Sequence, residues 1–283
     1  MNQKPAEEGD INIGISTVLT GEAATWGQSV LAGVTLATKE INDKGGINGR
    51  KINLVVEDDK AQATDAANAV NKLINIDKVS AILLGSGSGA TSSVVPIIKQ
   101  NGTPSIISIA SAPSLADGNY IFRVSPSDSV QGKFSAEFIK NEMGYNKIVL
   151  IYVKNDWGQG IADVFKEKFP EIGGEIIYEA GILQDTVDLR TEIAKIKDTD
   201  AEAIYAPIYP NNALAFFRQA KEAGLDLPII CGDAIETEEV IGSDYAEGVI
   251  YNIAKIASPT EFADRVKNLE GFENLTMLSL IHI

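Results

Sequence analysis

Cysteine is nearly absent from this chain. Cys231 is the only one in 283 residues, so no disulfide can close within it and no cysteine-based metal framework can be assembled. Histidine is as scarce: the single His282 stands next to the last residue, so neither a Ser-His-Asp nor a Cys-His set can be drawn from the body of the sequence. Positive charge is also in deficit. Lys and Arg number 24 against 39 Asp and Glu, and the formal net charge of −15 repels nucleic acid and anionic membrane surfaces. No bilayer-spanning run is present, because the uncharged stretch from Val79 to Ile98 is broken by glycines, serines and Pro96. The first ten residues, MNQKPAEEGD, lack the apolar centre of a signal peptide, so a leader is expected to have been removed or never to have existed. What remains is 45% apolar and 22% charged, an ordinary globular composition on a chain long enough for two domains.

Strand and helix signals alternate along almost the whole length. Ile11, Ile13 and Ile15 alternate as in a half-buried strand, whereas Val30, Val34, Ala37 and Ile41 recur at helical spacing and stop at Gly45-Gly46. The same reading predicts strands near 51–57, 80–84, 104–108, 147–153, 174–180, 202–206, 228–231 and 248–253, with helices near 27–43, 62–76, 91–100, 128–143, 158–169, 187–197 and 211–223. Strands separated by single helices imply parallel βαβ units and an α/β fold. Cys231, within LPIICG, is then a buried strand residue. The turn-rich segment from Ser114 to Asp128 interrupts the rhythm with one isolated extended piece, and it is the expected crossing between two α/β lobes.

In open parallel sheets ligands lie beyond the carboxyl ends of the strands, so the loops after each strand carry the chemistry. Those loops read TGEAATWGQ, GSGSG, SIASAPS, VKNDWGQG, APIYPNN and CGDA. They combine the aromatics Trp26, Trp157 and Tyr209 with small hydroxyl residues and one acid, Asp233. This is a binding inventory. The GSGSG loop, followed by a helix expected to open at Thr91, suits an anion, since glycine lets the backbone approach and a helix N-terminus offers unpaired N–H groups. Gly85, Gly87 and Ala90 match the dinucleotide pattern G-x-G-x-x-A, but two strands precede it and the region Ser105 to Ser111 lacks the acid that pattern requires. A small carboxylate held by Ser88 is the better expectation. The pair Asp58-Asp59 is expected to form a solvated turn and helix cap rather than a metal site. Arg123 and Arg218 are expected to bridge elements by ion pairs, and Asp233 has helix capping as its plainer alternative.

The loop order brings a resemblance into view. The opening IGISTVLTGEAATWGQSVLAGVTLATKEINDKGGINGRKINLVVEDD, then SGATSSVVPI, SAPSL, NDWGQG and FFRQAKEAGLDLPIICGD resemble type I periplasmic binding proteins of ABC importers, in the branched-chain amino-acid (Leu/Ile/Val) receptor branch. The likeness covers Asp10 to about Asn252. It implies two Rossmann-like lobes with parallel sheets joined by a hinge: 10–120 as the first lobe, 121–127 as the crossing and 128–252 as the second lobe. Residues 253–274 would cross back, leaving 275–283 as a non-native or truncated tail.

Carried over residue by residue, the resemblance puts Ser88 and the backbone of Gly89 and Ile109 on the polar end of an amino-acid ligand, with Ala110 and Ser111 beside them. Asp233 takes the ammonium. Trp26 is a lid over the ligand, and Trp157 and Tyr209 close from the second lobe. The implied role is an extracytoplasmic, monomeric, cofactor-free receptor, periplasmic or lipid-anchored, that captures an apolar amino acid and delivers it to an importer permease. Lys60, Ala61 and Gly87 stand where the Leu/Ile/Val receptor carries its disulfide, and tryptophans at 26 and 157 replace its commoner tyrosines. The alternatives are a ligand-sensing domain on the same fold and an enzyme relying on Asp, Glu and Tyr alone.

Overall fold

The computed structural model describes residues 9–21, 23–253 and 260–272 of the chain. The chain divides into two compact units, residues 9–125 with 260–272 and residues 126–253. The expected tail at 275–283 with His282, and residues 254–259 of the expected return crossing at 253–274, lie outside the described residues.

The first unit contains β1 (Ile11–Thr17), α1 (Ala24–Asp43), β2 (Ile52–Asp58), α2 (Ala63–Asn75), β3 (Ala81–Gly85), α3 (Ser88–Asn101), β4 (Ser105–Ile107) and β5 (Ile121–Arg123). Its sheet runs β2-β1-β3-β4-β5, every pair parallel. Side chains alternate across the strands, so each face has its own helices. Ile15, Val56 and Leu83 meet Val30 and Val34 of α1, whereas Ile82, Leu84, Ile107 and Ile121 meet Val70, Leu73, Val94 and Ile98 of α2 and α3. The lone extended piece of the expected crossing is β5, hydrogen-bonded to β4.

The second unit contains α4 (Asp128–Glu137), a π-helical turn at Phe138–Glu142, β6 (Lys147–Val153), α5 (Asp156–Glu171), β7 (Glu175–Ile182), α6 (Arg190–Lys197), β8 (Ala203–Ala206), α7 (Pro210–Glu222), β9 (Ile229–Cys231), a 3₁₀ turn at Asp233–Ile235, α8 (Glu238–Ile241) and β10 (Ile250–Tyr251). Its sheet order, β7-β6-β8-β9-β10, repeats the first unit's with β6 in the place of β1. Val149, Ile151 and Ile204 face α6 and α7, while Ile148, Leu150 and Tyr205 face α4 and α5. The last described helix, α9 (Thr260–Lys267), returns to the first unit, where Val266 packs on Ala32 and Leu36 and Arg265 donates to Glu40 at 2.6 Å.

Two expectations are corrected within these units. Arg218 does not bridge elements by an ion pair among the described residues: it lies 3.6 Å from Glu222, four residues on in the same helix, and both side chains are exposed. The acidic pair is not solvated as a whole. Asp59 is 2% exposed and accepts from Ser16 Oγ at 2.9 Å, from Ser86 Oγ and from the N–H of Ala61 at 3.0 Å. Asp58 accepts from the N–H groups of Leu19 (2.9 Å) and Lys60 (3.0 Å). Each acid therefore bonds the N–H two residues on, and this holds Lys60 and Ala61 at φ 51 and 55, a left-handed conformation that non-glycine residues rarely adopt. The pair ties the ends of β1, β2 and β3 together.

Burial pushes the Asp59 carboxyl above its ordinary value despite the hydrogen bonds from Ser86, Ala61 and Ser16. A raised folded value means that its contribution to stability is complete below the unfolded value and is lost as pH rises through the folded one. Urea melts of wild type and Asp59→Asn should therefore show the wild type losing ground to the variant as pH rises from acid to neutral. A difference that does not change with pH would contradict the buried assignment.

Candidate functional site

In the first unit the candidate residues lie where β3 and β4 end. The helix after β3 opens at Ser88, three residues earlier than expected, because Gly87 is extended and serves as its N-cap. The sequence signal was obscured by small residues that suit loops and helix starts equally. Thr91 N–H donates to Gly87 O at 3.0 Å, so the N–H groups of Ser88, Gly89 and Ala90 lie ahead of the first helical bond. Ser88 is 1% exposed, and its Oγ accepts from the N–H groups of Ser111 (3.3 Å) and Ala112 (3.2 Å). It thereby stitches the β3 and β4 loops together while its own O–H proton remains to be donated. Gly89 is half-buried, with open space where a side chain would project.

Ala110 is buried, and Ile109 packs beside Ile15 and Val34. Ser111 is half-buried, and Arg123 donates to its carbonyl at 3.0 Å and to that of Ala112 at 2.8 Å. Arg123 thus acts on the site by clamping loop carbonyls, a role that the expected ion pair did not include. Trp26 is half-buried in the first turn of α1.

In the second unit the candidate residues lie beyond β6, β8 and β9. Asn155 caps α5 by accepting from Gly158 N–H at 3.0 Å, and its amide donates to the Tyr209 hydroxyl at 3.0 Å. Trp157, 6% exposed, stacks on Tyr209 with ring centroids 4.9 Å apart and planes 9° from parallel. Trp157 is therefore a packed layer beneath Tyr209. Burial holds the Tyr209 phenol up at about 12, so it stays neutral as both donor and acceptor.

Asp233 begins the 3₁₀ turn, and Gly232 occupies the N-cap position. The following helix, α8, is capped by Thr237, which accepts from Val240 N–H, so Asp233 caps neither element. Its Oδ1 accepts from Gln131 Nε2 at 3.1 Å. Burial raises the Asp233 carboxyl above the ordinary range, and the Gln131 N–H and nearby backbone N–H groups oppose that shift. Among the described residues no Lys or Arg lies within ion-pair distance of it. Nor does any group of His, Cys, Asp and Glu among them stand close enough to hold a metal ion.

A family model described as periplasmic binding protein matches residues 10–260. The chain belongs to the periplasmic binding protein family. It is 30% identical over 273 residues to an amino acid binding protein of Pseudomonas aeruginosa, covering 93% of this chain and 71% of that one. It is 32% identical over 247 residues to Leu/Ile/Val-binding protein homolog 1 of Brucella abortus, covering 85% and 66% respectively. The solved branched-chain amino-acid transporter substrate-binding protein of Streptococcus pneumoniae, in complex with isoleucine, superimposes with a TM-score of 0.78 at 30% identity, covering 91% of this chain and 76% of that one. The chain thus spans about two thirds to three quarters of the length of these relatives.

For a periplasmic binding protein the parts found are those of recognition: N–H donors at a helix start, an acid with no cation beside it among the described residues, and a stacked aromatic pair. Reading the sequence missed Gln131, Asn155 and the clamping role of Arg123. Asn155 had a usable signal, since Asn before a helical segment is a preferred N-cap. Gln131 had none, because it meets Asp233 across 102 residues of sequence.

Proposed function

We propose that this chain is the solute-capturing component of an ABC importer, that it takes up an apolar α-amino acid of the branched-chain class, and that it performs no catalysis. The observation that carries this reading is Asp233: a half-buried, desolvated carboxyl without a cationic partner among the described residues, near the Trp157–Tyr209 stack. An ammonium supplies the missing charge, and a branched aliphatic side chain suits an aromatic wall. The N–H groups of Ser88 and Gly89, with the Ser88 hydroxyl and the Ile109–Ser111 backbone, take the carboxylate, and Trp26 covers the ligand. Each hydrogen bond to a charged group contributes about 1.5–3 kcal/mol, and burying a Leu-sized side chain adds roughly 1.5–3 kcal/mol. Those sums reach micromolar binding after ordering costs.

The names of the relatives support the ligand class. In this reading residues 10–120 and 128–252 are the ligand-holding lobes, the chain crosses between them within 121–127 and again within 253–274, and the protein works outside the cytoplasm as a monomer that hands its ligand to a permease. A thermal-shift screen against the amino acids, small amides and aromatic acids tests it. Leucine, isoleucine and valine should raise the melting temperature, since a ligand at a hundred times its Kd adds about 2.7 kcal/mol to stability. A flat response to every amino acid would overturn the proposal.

A further inference from the structure

We infer that Gln131 is a positioning residue for Asp233: it holds one carboxylate oxygen, presents the other to the ligand, and offers its own Oε1 as a second acceptor beside it. This rests on the reading of Asp233 as the ammonium acceptor. Gln131 lies in the first turns of α4, and its Nε2 stands 3.1 Å from Asp233 Oδ1 and 3.0 Å from Asn252 Oδ1. A carboxylate can only accept, so the amide nitrogen must face it. Both N–H groups of that nitrogen are then used.

Asn252 is fixed in turn. Ser135 Oγ donates to Gln131 O at 2.9 Å, which leaves its lone pairs to accept from Asn252 Nδ2 at 2.6 Å, and this points Asn252 Oδ1 back at Gln131. The ring Gln131–Asn252–Ser135 closes with both Gln131 N–H groups and the Ser135 hydroxyl proton assigned, and Ser135 is buried. Gly232 completes the fit: a Cβ there would stand 3.2 Å from Gln131 Nε2 and 3.5 Å from the Trp157 ring. Among the described residues no donor reaches Gln131 Oε1. On this inference Asp233 Oδ2 and Gln131 Oε1 act as an acceptor pair for a group with several N–H donors, which an α-ammonium provides.

Among the described residues Asp233 acts on Glu236 just after its turn, on Tyr205 of β8 and on Tyr209 at the start of α7, and Asp128, Asp156 and Cys231 lie around those two tyrosines. All are acidic or neutral, so Gln131 is the side chain that favours the charged form of Asp233. Removing its N–H groups should move the carboxyl titration upward. An ammonium needs the ionised carboxylate, so the acid limb of ligand affinity should move to higher pH with it.

Two measurements separate this inference from the function it rests on. In ligand-free protein, carboxyl-carbon NMR titration should show the Asp233 midpoint rising by about one pH unit in Gln131→Met. With leucine as probe, calorimetry across the acid-to-neutral range should show about tenfold weaker binding at neutral pH and the same upward displacement of the acid limb. Should Gln131→Met fail to fold, Gln131→Glu keeps the shape and sets a second acid against Asp233, and its midpoint shift should be larger still. An unchanged Asp233 midpoint in the folded variant overturns the positioning role whatever the ligand. Wild type that binds no amino acid, together with a shifted midpoint, overturns the function and leaves the Gln131–Asp233 coupling standing.

Discussion

Asp233→Ala should lower affinity for a branched-chain amino acid at least thirtyfold while leaving the urea midpoint almost where it was. Removing an acid that faces a buried ammonium leaves that charge without a partner, and such truncations cost about 2–5 kcal/mol. The stability side has the opposite balance. Burial already disfavours the charged form of Asp233, and the residue caps no helix, since Gly232 and Thr237 hold the two capping positions. The folding energy lost with it is then mainly that of the Gln131 hydrogen bond, about 0.5–1.5 kcal/mol, against which the relief of a desolvated acid counts. Titration calorimetry beside a urea melt distinguishes the outcomes: a stability loss with unchanged affinity would make Asp233 a structural residue and remove the proposed ammonium site.

The largest effect on folding is expected at the glycine that follows each tryptophan. In Trp26-Gly27 and Trp157-Gly158 a helix starts against the end of the preceding strand. A Cβ on Gly27 would fall 1.7 Å from Val18 O, and one on Gly158 would fall 2.3 Å from Val153 O. Neither obstacle is a flexible side chain, so the helix itself must move. Overpacking of this kind costs about 1–3 kcal/mol, occasionally more, and both Gly27→Ala and Gly158→Ala belong at the upper end. In Gly158→Ala the displaced helix also carries Trp157 away from Tyr209, so leucine affinity should fall with stability. Gly89→Ala is the control: its Cβ meets nothing within 4 Å and its site is helical, so stability should hold or rise by up to about 1 kcal/mol. Thermal melts of the three variants compare these directly, and equal melting of Gly158→Ala and Gly89→Ala would refute the close-approach argument.

The alternation of strand and helix was legible because burial on two faces writes itself into sequence at periods of 2 and 3.6, as in Ile82-Leu83-Leu84 and Val30-Val34. The loops after the strands were legible because parallel strands place them at one edge, so the candidate residues could be collected without coordinates. Composition alone set aside nucleic acid and cysteine chemistry as expectations. What each side chain does within those loops was not legible. Asp59 looks like a solvated turn acid until β1 and β3 bring Ser16 and Ser86 to it, over 43 and 27 residues of sequence. Trp157 looks like a loop aromatic until the first turn of α5 sets it beneath Tyr209. Gln131 carries no local signal because its partners, Asp233 and Asn252, come from the ends of β9 and β10. Periodicity is a property of neighbouring residues and survives in one dimension; a hydrogen bond across a hundred residues depends on where the sheet brings distant loop ends, and only the folded chain decides that.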